Sequence, residues 1–424
     1  MVPRVSKPST ASRAAIACAI LAALAGCGSS TRGGLSARAS ATTSAQAVPG
    51  ACSTAVLGAL GSVAMHVYHE GLSSERTGSA IGFITHSIPL REAVERDDPQ
   101  AARAAAQALI ATGHMTNLRV LRGAQVLADV GGQGALAPLY GPILDAGGAP
   151  IGAFVTSVWT DSGLVAETSG IAEGATALRA GGQSIAGSIA LGPGALPARG
   201  TLTVGGVSYA YTSFPAAVYP SGQPLRIYLF KSIASIAPLC GHTPTDTVVN
   251  AIGRVARLIY AGEVGARARV QVHRVQHNQP LLRAVAMRDA AATRLAIAGL
   301  LNQHIVRLRV SAGARLLSDV GGPYVLGPVH APLRLHGRRI GSVVLSIQDD
   351  EGYKRLAGRL AGLDVLMYMG SRLVKNSLGP APGAVPASGS YRYRGRTFRV
   401  YTLRAEAFPS GPLRIAVLIP IPYS

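Results

Sequence analysis

The residues able to do chemistry are few, and the most suggestive of them recur. Asp129 and Asp319 each open an Asp-Val-Gly-Gly run. At the end of a strand such a run makes a tight turn, with glycine taking positive φ and the carboxylate bonding backbone donors. The alternative is a carboxylate at a pocket mouth, placed to meet an amine. Tyr140 and Tyr324 lie just downstream and either line the same mouth or cover it as packing. Histidine gives the one metal-like spacing: His273 and His277 stand four apart and His66 and His69 three apart, so each pair shares a helix face. Two imidazoles with no third ligand spaced nearby are an incomplete site, so surface or packing roles are expected, with no metal and no cofactor. Asp349, Asp350 and Glu351 are adjacent, which suits a helix N-terminus and its dipole better than the facing carboxylates of a glycoside hydrolase. GQSIAG from Gly182 lacks the spacing of a nucleophile elbow. The chain has four lysines and no Gly-x-x-x-x-Gly-Lys, hence no phosphate loop. An enzyme is not expected.

The elements that position these residues are written twice. LRVLRGAQVLADVGG from Leu118 and LRVSAGARLLSDVGG from Leu308 agree at ten of fifteen positions, at an offset of 190. The register continues through Ile151-Gly152 and Ile340-Gly341, Tyr211-Thr212 and Tyr401-Thr402, and the proline-containing runs from Tyr219 and Phe408. Upstream, His86 and Pro89 match His277 and Pro280, Asp98 matches Asp289, and Cys52 falls close to the register of Cys240. Two units follow, residues 52–235 and 240–424. In each, a long helical region comes first; in the second unit it starts at Thr243-Pro244-Thr245-Asp246, a capping threonine, an N1 proline and a box-completing acid. Next come a break at Pro89 or Pro280 and a short helix capped by Asp98 or Asp289. Two strand pairs, a helix beginning near Asp161 or Asp350, and three closing strands complete the unit.

The ends bound the compartment. Residues 1–26 carry Arg4, Lys7 and Arg13, then an apolar run too short to span a bilayer, as in a signal peptide. Leu24-Ala25-Gly26-Cys27 resembles the lipobox of bacterial lipoproteins, which implies acylation of Cys27 and attachment to the extracytoplasmic face of the cell membrane. Residues 27–51 are small and polar and read as a flexible tether. No further apolar stretch of membrane length is expected. Removing Cys18 and Cys27 leaves Cys52 and Cys240, which in an exported chain favour a disulfide; it would join the starts of the two long helices. The alternative is one free thiol per unit.

Long helix, antiparallel sheet, inserted helix and further strands, in an exported chain and around the Asp-Val-Gly-Gly pair, resemble the Cache family of PAS-like extracytoplasmic sensor domains. The resemblance implies an α+β fold of two tandem PAS/Cache-like domains, each a long N-terminal helix packed on an antiparallel sheet of five or six strands. It also implies a small-molecule pocket roofed by the inserted helix. On that basis the ligand-binding candidates are Trp159, Thr160 and Asp161 in the first unit and Gln348, Asp350 and Tyr353 in the second, with Tyr211 and Tyr401 on matching later strands and Asp129 and Asp319 at the mouths. The bland alternative for these residues is packing and helix capping. Cache domains usually precede a membrane helix and an output module, whereas this sequence runs to Ser424 on a predicted strand, so signal output by the same polypeptide is not expected.

The net charge is +20, and +17 without the three leader cations (20 − 3). Such an excess suits anionic headgroups, wall polymers or acidic ligands; nucleic acid does not fit an exported chain with 5% aromatics and no recognition motif. The leading expectation is a lipid-anchored protein that binds an unknown small extracytoplasmic ligand and reports to a separate membrane signalling partner. The alternative is an envelope interaction module that holds a protein or anionic wall polymer through its basic surface.

Overall fold

Side-chain caps fix where the helices begin. The computed structural model describes residues 50–262, 264–301, 304–380, 382–408 and 411–423; the predicted leader, Cys27 and nearly all of the predicted tether lie outside the described residues. In the first repeat α1 (Gly50–Ser73) is followed by α2 (Glu75–Thr85), with the Ser74 hydroxyl accepting from the Thr77 amide between them. Gly50 and Ala51, assigned to the tether from sequence, are already helical. Ser87 caps α3 (Ile88–Glu95). Asp98 caps α4 (Pro99–Ala111), accepting from the amides of Gln100 and Ala101 at 3.0 and 2.9 Å.

Strands β1 (Asn117–Arg122), β2 (Gln125–Gly131), β3 (Ala135–Leu136), β4 (Leu139–Leu144), β5 (Pro150–Ser157) and β6 (Trp159–Thr160) come next. Four of them form an antiparallel sheet in the order β2-β1-β5-β4, and β3 pairs with β6 beside it. Helix α5 (Asp161–Ala172), capped by Thr160, leads to β7 (Ala175–Ala180), β8 (Gln183–Gly187), β9 (Arg199–Val204), β10 (Val207–Ala217) and β11 (Pro224–Ser232). These make a second sheet, ordered β8-β7-β11-β10-β9. Three closing strands were expected, and five are present. The short β8 and β9 flank a Gly/Pro-rich segment whose composition reads as loop, so their pairing shows only in three dimensions.

After α6 (Ile233–Ile236) the second repeat follows the same plan: α7 (Pro244–Gly262), α8 (Ala266–Gln276), α9 (Gln279–Ala286) and α10 (Ala290–Leu301). Then come β12 (Arg307–Ala312), β13 (Arg315–Gly321), β14 (Val325–Leu326), β15 (Val329–Leu335), β16 (Arg338–Ser346) and β17 (Gln348–Asp349). It ends with α11 (Asp350–Ala361), β18 (Asp364–Met369), β19 (Arg372–Asn376), β20 (Gly389–Tyr393), β21 (Arg396–Phe408) and β22 (Gly411–Pro420). The Thr243 hydroxyl accepts from the Asp246 amide and donates to its carboxylate, so the expected capping box forms. Each repeat is thus α+β, a long N-terminal helix against antiparallel sheets.

Each four-stranded sheet packs its own helices: Ile84, Leu90 and Val94 meet Leu118, Val120 and Phe154 in the first repeat, and Val275, Leu281 and Val285 meet Leu308, Val310 and Leu345 in the second. The five-stranded sheet of the first repeat and the seven-stranded sheet of the second, ordered β17-β14-β21-β22-β18-β19 with β20 on β21, do not have separate cores. Helices α1, α5, α7 and α11 lie between them, and Val63, Val67, Leu178 and Ile227 share one apolar cluster with Val255, Ile259, Met367 and Val417. Taken together across the break at Ser74, the helical stretch Gly50–Thr85 is long and apolar enough to cross a membrane by length and composition, contrary to the sequence expectation. Its Val56, Leu60, Val63 and Val67 are at most 2% exposed within the protein, so its apolarity is that of a core helix.

Cys52 and Cys240 form a disulfide with Cα atoms 5.6 Å apart, tying the start of α1 to a residue four positions before α7 begins at Pro244. It closes a separation of 188 residues, for which the chain-entropy model gives about 5 kcal/mol at most. Three ion pairs among the described residues also cross between repeats, Arg254 to Glu173 and Arg359 to Glu70 at 2.6 Å and Arg355 to Glu75 at 4.0 Å; five of these six side chains are at least one-third exposed, so they contribute little beyond orientation.

Candidate ligand site

The repeats can be superposed residue by residue through their hydrogen bonds. Tyr68 of α1 accepts from the Ala217 amide and Tyr260 of α7 from the Glu406 amide, each at 3.0 Å. Leu136 pairs with Trp159 where β3 meets β6, and Leu326 with Gln348 where β14 meets β17. Trp159 and Gln348 therefore occupy the same place, the junction between the two sheets of a repeat.

In the first repeat the indole fills that junction. Trp159 packs on both adjoining cores and donates from Nε1 to the Val67 carbonyl at 3.1 Å. Gly71 gives it room: a Cβ there would lie 2.4 Å from the indole Cδ1. Nearby Ala80 of α2 is fully buried.

In the second repeat Gln348 replaces the indole and Gln271, matching Ala80 in helix register, replaces the methyl group. A cavity of about 450 Å³ is present, lined by Arg267, Val270, Gln271, His304, Ile347, Gln348 and Leu356. The Gln271 Oε1 is buried there without a hydrogen-bond partner, and a buried acceptor left unmet costs about 1–3 kcal/mol. Arg267 has no ion pair among the described residues. A guanidinium, two amides and an imidazole over an apolar floor can hold a small polar molecule that carries at least one N–H or O–H donor for Gln271.

Of the ten candidates drawn from sequence, Gln348 borders this cavity, and the others are dispersed. Asp161 and Asp350 open α5 and α11, where each accepts from the following amide. Burial raises the Asp350 carboxyl above its ordinary range, opposed by Lys375 3.7 Å away. Hydrogen bonds from Lys354 and Lys375 hold neighbouring Glu351 down at about 2. Tyr353 is fully buried, and its hydroxyl donates to the Ala256 carbonyl at 3.0 Å.

Tyr211 and Tyr401 match in the letters of the sequence and not in space. Tyr211 pairs with Phe230, whereas the partner of Tyr401 is Val417. Aligned on Pro-Leu-Arg-Ile, Phe230 corresponds to Leu418, so Tyr401 corresponds to Thr212. That one-residue slip turns the rings to opposite faces. Tyr211 packs with Tyr228 and Phe230 on the outer face, and Tyr401 faces α7 beneath the Arg257 guanidinium, 5.4 Å from its ring centroid. Gly253 allows the approach, since a Cβ there would meet the Tyr401 ring at 2.5 Å.

Asp129 and Asp319 face arginines rather than turn amides. Asp129 is directly opposite Arg119 and accepts from its Nε at 3.0 Å. Asp319 accepts from Arg307 Nε at 2.9 Å and Arg309 Nη2 at 2.7 Å, and both guanidiniums lie over the ring of Phe408. Burial would raise the Asp319 carboxyl, but the two arginines outweigh it and leave it below the ordinary carboxylate value. The glycines do take the expected backbone: Gly131 and Gly321 have φ of +135° and +138°. A Cβ would approach the Thr116 and Val306 carbonyls to 2.6 and 2.4 Å.

Sequence reasoning missed Arg267, Gln271 and His304. The available signal was the repeat itself: a small apolar residue in one copy of the second helix stands against a glutamine in the other.

No protein-family model and no curated protein matches the chain. Among solved structures it is similar to the periplasmic domain of LuxQ from Vibrio cholerae, at 12% identity and a TM-score of 0.30, over 40% of this chain and 98% of that one. It is also similar to an extracellular ligand binding receptor from Desulfohalobium retbaense, at 13% identity and a TM-score of 0.22, over 51% of this chain and 46% of that one.

Proposed function

We propose that this chain is a non-catalytic, lipid-anchored extracytoplasmic protein that binds a small polar ligand in the junction cavity of its second repeat and presents the bound state to a separate membrane partner. The observation that carries the reading is the exchange of Ala80 and Trp159 for Gln271 and Gln348 at matched positions. A plug is replaced by polar groups, one of them unmet, around open volume. Stability alone favours the plug, so the exchange is understandable as a binding device. The lipobox-like Leu24-Ala25-Gly26-Cys27 supports the location.

The test is a thermal-shift screen of the chain from Gly28 onward against amines, carboxylates, amino acids and purines. A ligand at a hundred times its dissociation constant adds about 2.7 kcal/mol to the state that binds it. A hit lost in the Gln271→Ala, Gln348→Trp double variant supports the reading. A hit that persists there moves the ligand elsewhere, and silence across the panel in a cooperatively melting protein favours an interaction module.

A further inference from the structure

The outer face of the first repeat's five-stranded sheet carries two guanidiniums and no acid. Arg179 of β7 is directly opposite Arg226 of β11, so both side chains lie on one face. Like charges in that relation repel. From Gly174 to Thr245 the sequence has no aspartate or glutamate, and residues 1–69 have none either. No carboxylate among the described residues pairs with either arginine.

Arg179 is only 4% exposed, and its hydrogen bonds are lopsided. Nη2 alone donates to the carbonyls of Gly182, Gly192 and Gly194, which fastens the glycine-rich segment over the sheet, while Nη1 is buried with no partner. Arg226 is half-buried and reaches the other way, its Nε donating to Ser213 Oγ at 3.0 Å and its Nη2 to the Ser213 carbonyl at 3.3 Å.

The second repeat shows the same place satisfied. There Arg414 corresponds to Arg226 and has two cross-strand partners: Arg404 of β21, whose side chain is exposed, and Tyr368 of β18, whose ring centroid lies 4.2 Å from the guanidinium carbon. A cation on an aromatic face is a settled pair. Among the described residues neither Arg179 nor Arg226 lies on such a ring, and Arg179 Nη1 is buried with no acceptor, so the missing component is negative charge.

We propose that Arg179 and Arg226 bind a free, small oxyanion of the phosphate or sulfate type. Guanidinium N–H forks match such oxygens geometrically, and the burial of Arg179 excludes a polymer-borne group. The segment carrying Gly192 and Gly194 roofs the site, so it lifts to admit the ion. This site is independent of the junction cavity and stands whether or not that cavity binds anything.

The probes are inorganic phosphate and sulfate, added to the full chain at fixed ionic strength with chloride as reference. The expected result is a saturable rise in melting temperature of about 2–4 °C at low millimolar anion, below the range in which salting effects stabilise proteins generally. Arg179→Tyr, which installs the aromatic partner seen opposite Arg414, should melt cooperatively and lose the response. Because Arg179 also holds the glycine-rich segment, Arg226→Met serves as a second variant that leaves those three carbonyl contacts in place, and it should lose most of the response. Phosphate and sulfate behaving like chloride, or a full response surviving in Arg226→Met, overturns the proposal.

Discussion

Where β3 meets β6 in the first repeat, an indole closes the space between two cores; where β14 meets β17 in the second, an amide leaves about 450 Å³ open. The elements around the two junctions are the same, so the difference resides in a few side chains and not in topology. A similar contrast runs through the paired acids. Asp129 is 42% exposed and meets one arginine, itself 31% exposed, whereas Asp319 is held between two arginines and is 15% exposed. The first repeat is thus firm at its junction and loose at its acid, and the second is the reverse.

The largest expected effect comes from breaking the plug. Trp159→Ala removes the side chain that joins both cores of the first repeat, and denaturant unfolding should show a loss of about 3–5 kcal/mol. Gln348→Ala at the matched position should cost less than about 1 kcal/mol, because nothing packs across the open cavity; equal losses would dissolve the contrast between the junctions. Next is Asp319→Asn, which leaves Arg307 and Arg309 facing each other and should cost about 2–3 kcal/mol at neutral pH. Asp129→Asn should cost under about 1 kcal/mol, as exposed pairs do.

The pH dependence sharpens the same pair. The Asp319 carboxyl lies below its unfolded value of about 3.9, so the unfolded state takes up protons first and stability falls with falling pH. Its contribution is complete above about pH 5 and disappears as pH drops through the depressed folded value. An acid unfolding curve of Asp319→Asn should therefore be flatter than wild type below about pH 4. Smallest in stability is the Gln271→Ala, Gln348→Trp exchange, expected within about 1 kcal/mol of wild type, with its effect read in ligand response.

Much of the frame was legible in the sequence because capping and repetition are local signals. Asp98, Asp289 and the Thr243–Asp246 box mark helix starts, and the LRV and DVGG runs mark the first hairpin of each repeat. What escaped depends on register and on distant partners. Letter matching aligned Tyr211 with Tyr401, but a one-residue difference in strand register separates them to opposite faces. The carboxylates of Asp129 and Asp319 looked like turn formers because their arginine partners lie ten or twelve residues upstream on the neighbouring strand. The junction cavity was visible only as Gln348, since apart from the adjacent Ile347 its other walls come from α8, α11 and the residue His304.

The helical layer shared by the five-stranded sheet of the first repeat and the seven-stranded sheet of the second has a further consequence. Two separate identical chains that met through such a layer would be bound to change in step, every substitution appearing on both sides of the axis at once. Here the halves are one polypeptide, covalently clasped at Cys52 and Cys240. Each half is therefore free to mutate alone while continuing to serve as scaffold for the other, and one copy can become structural ballast while its twin keeps an opening.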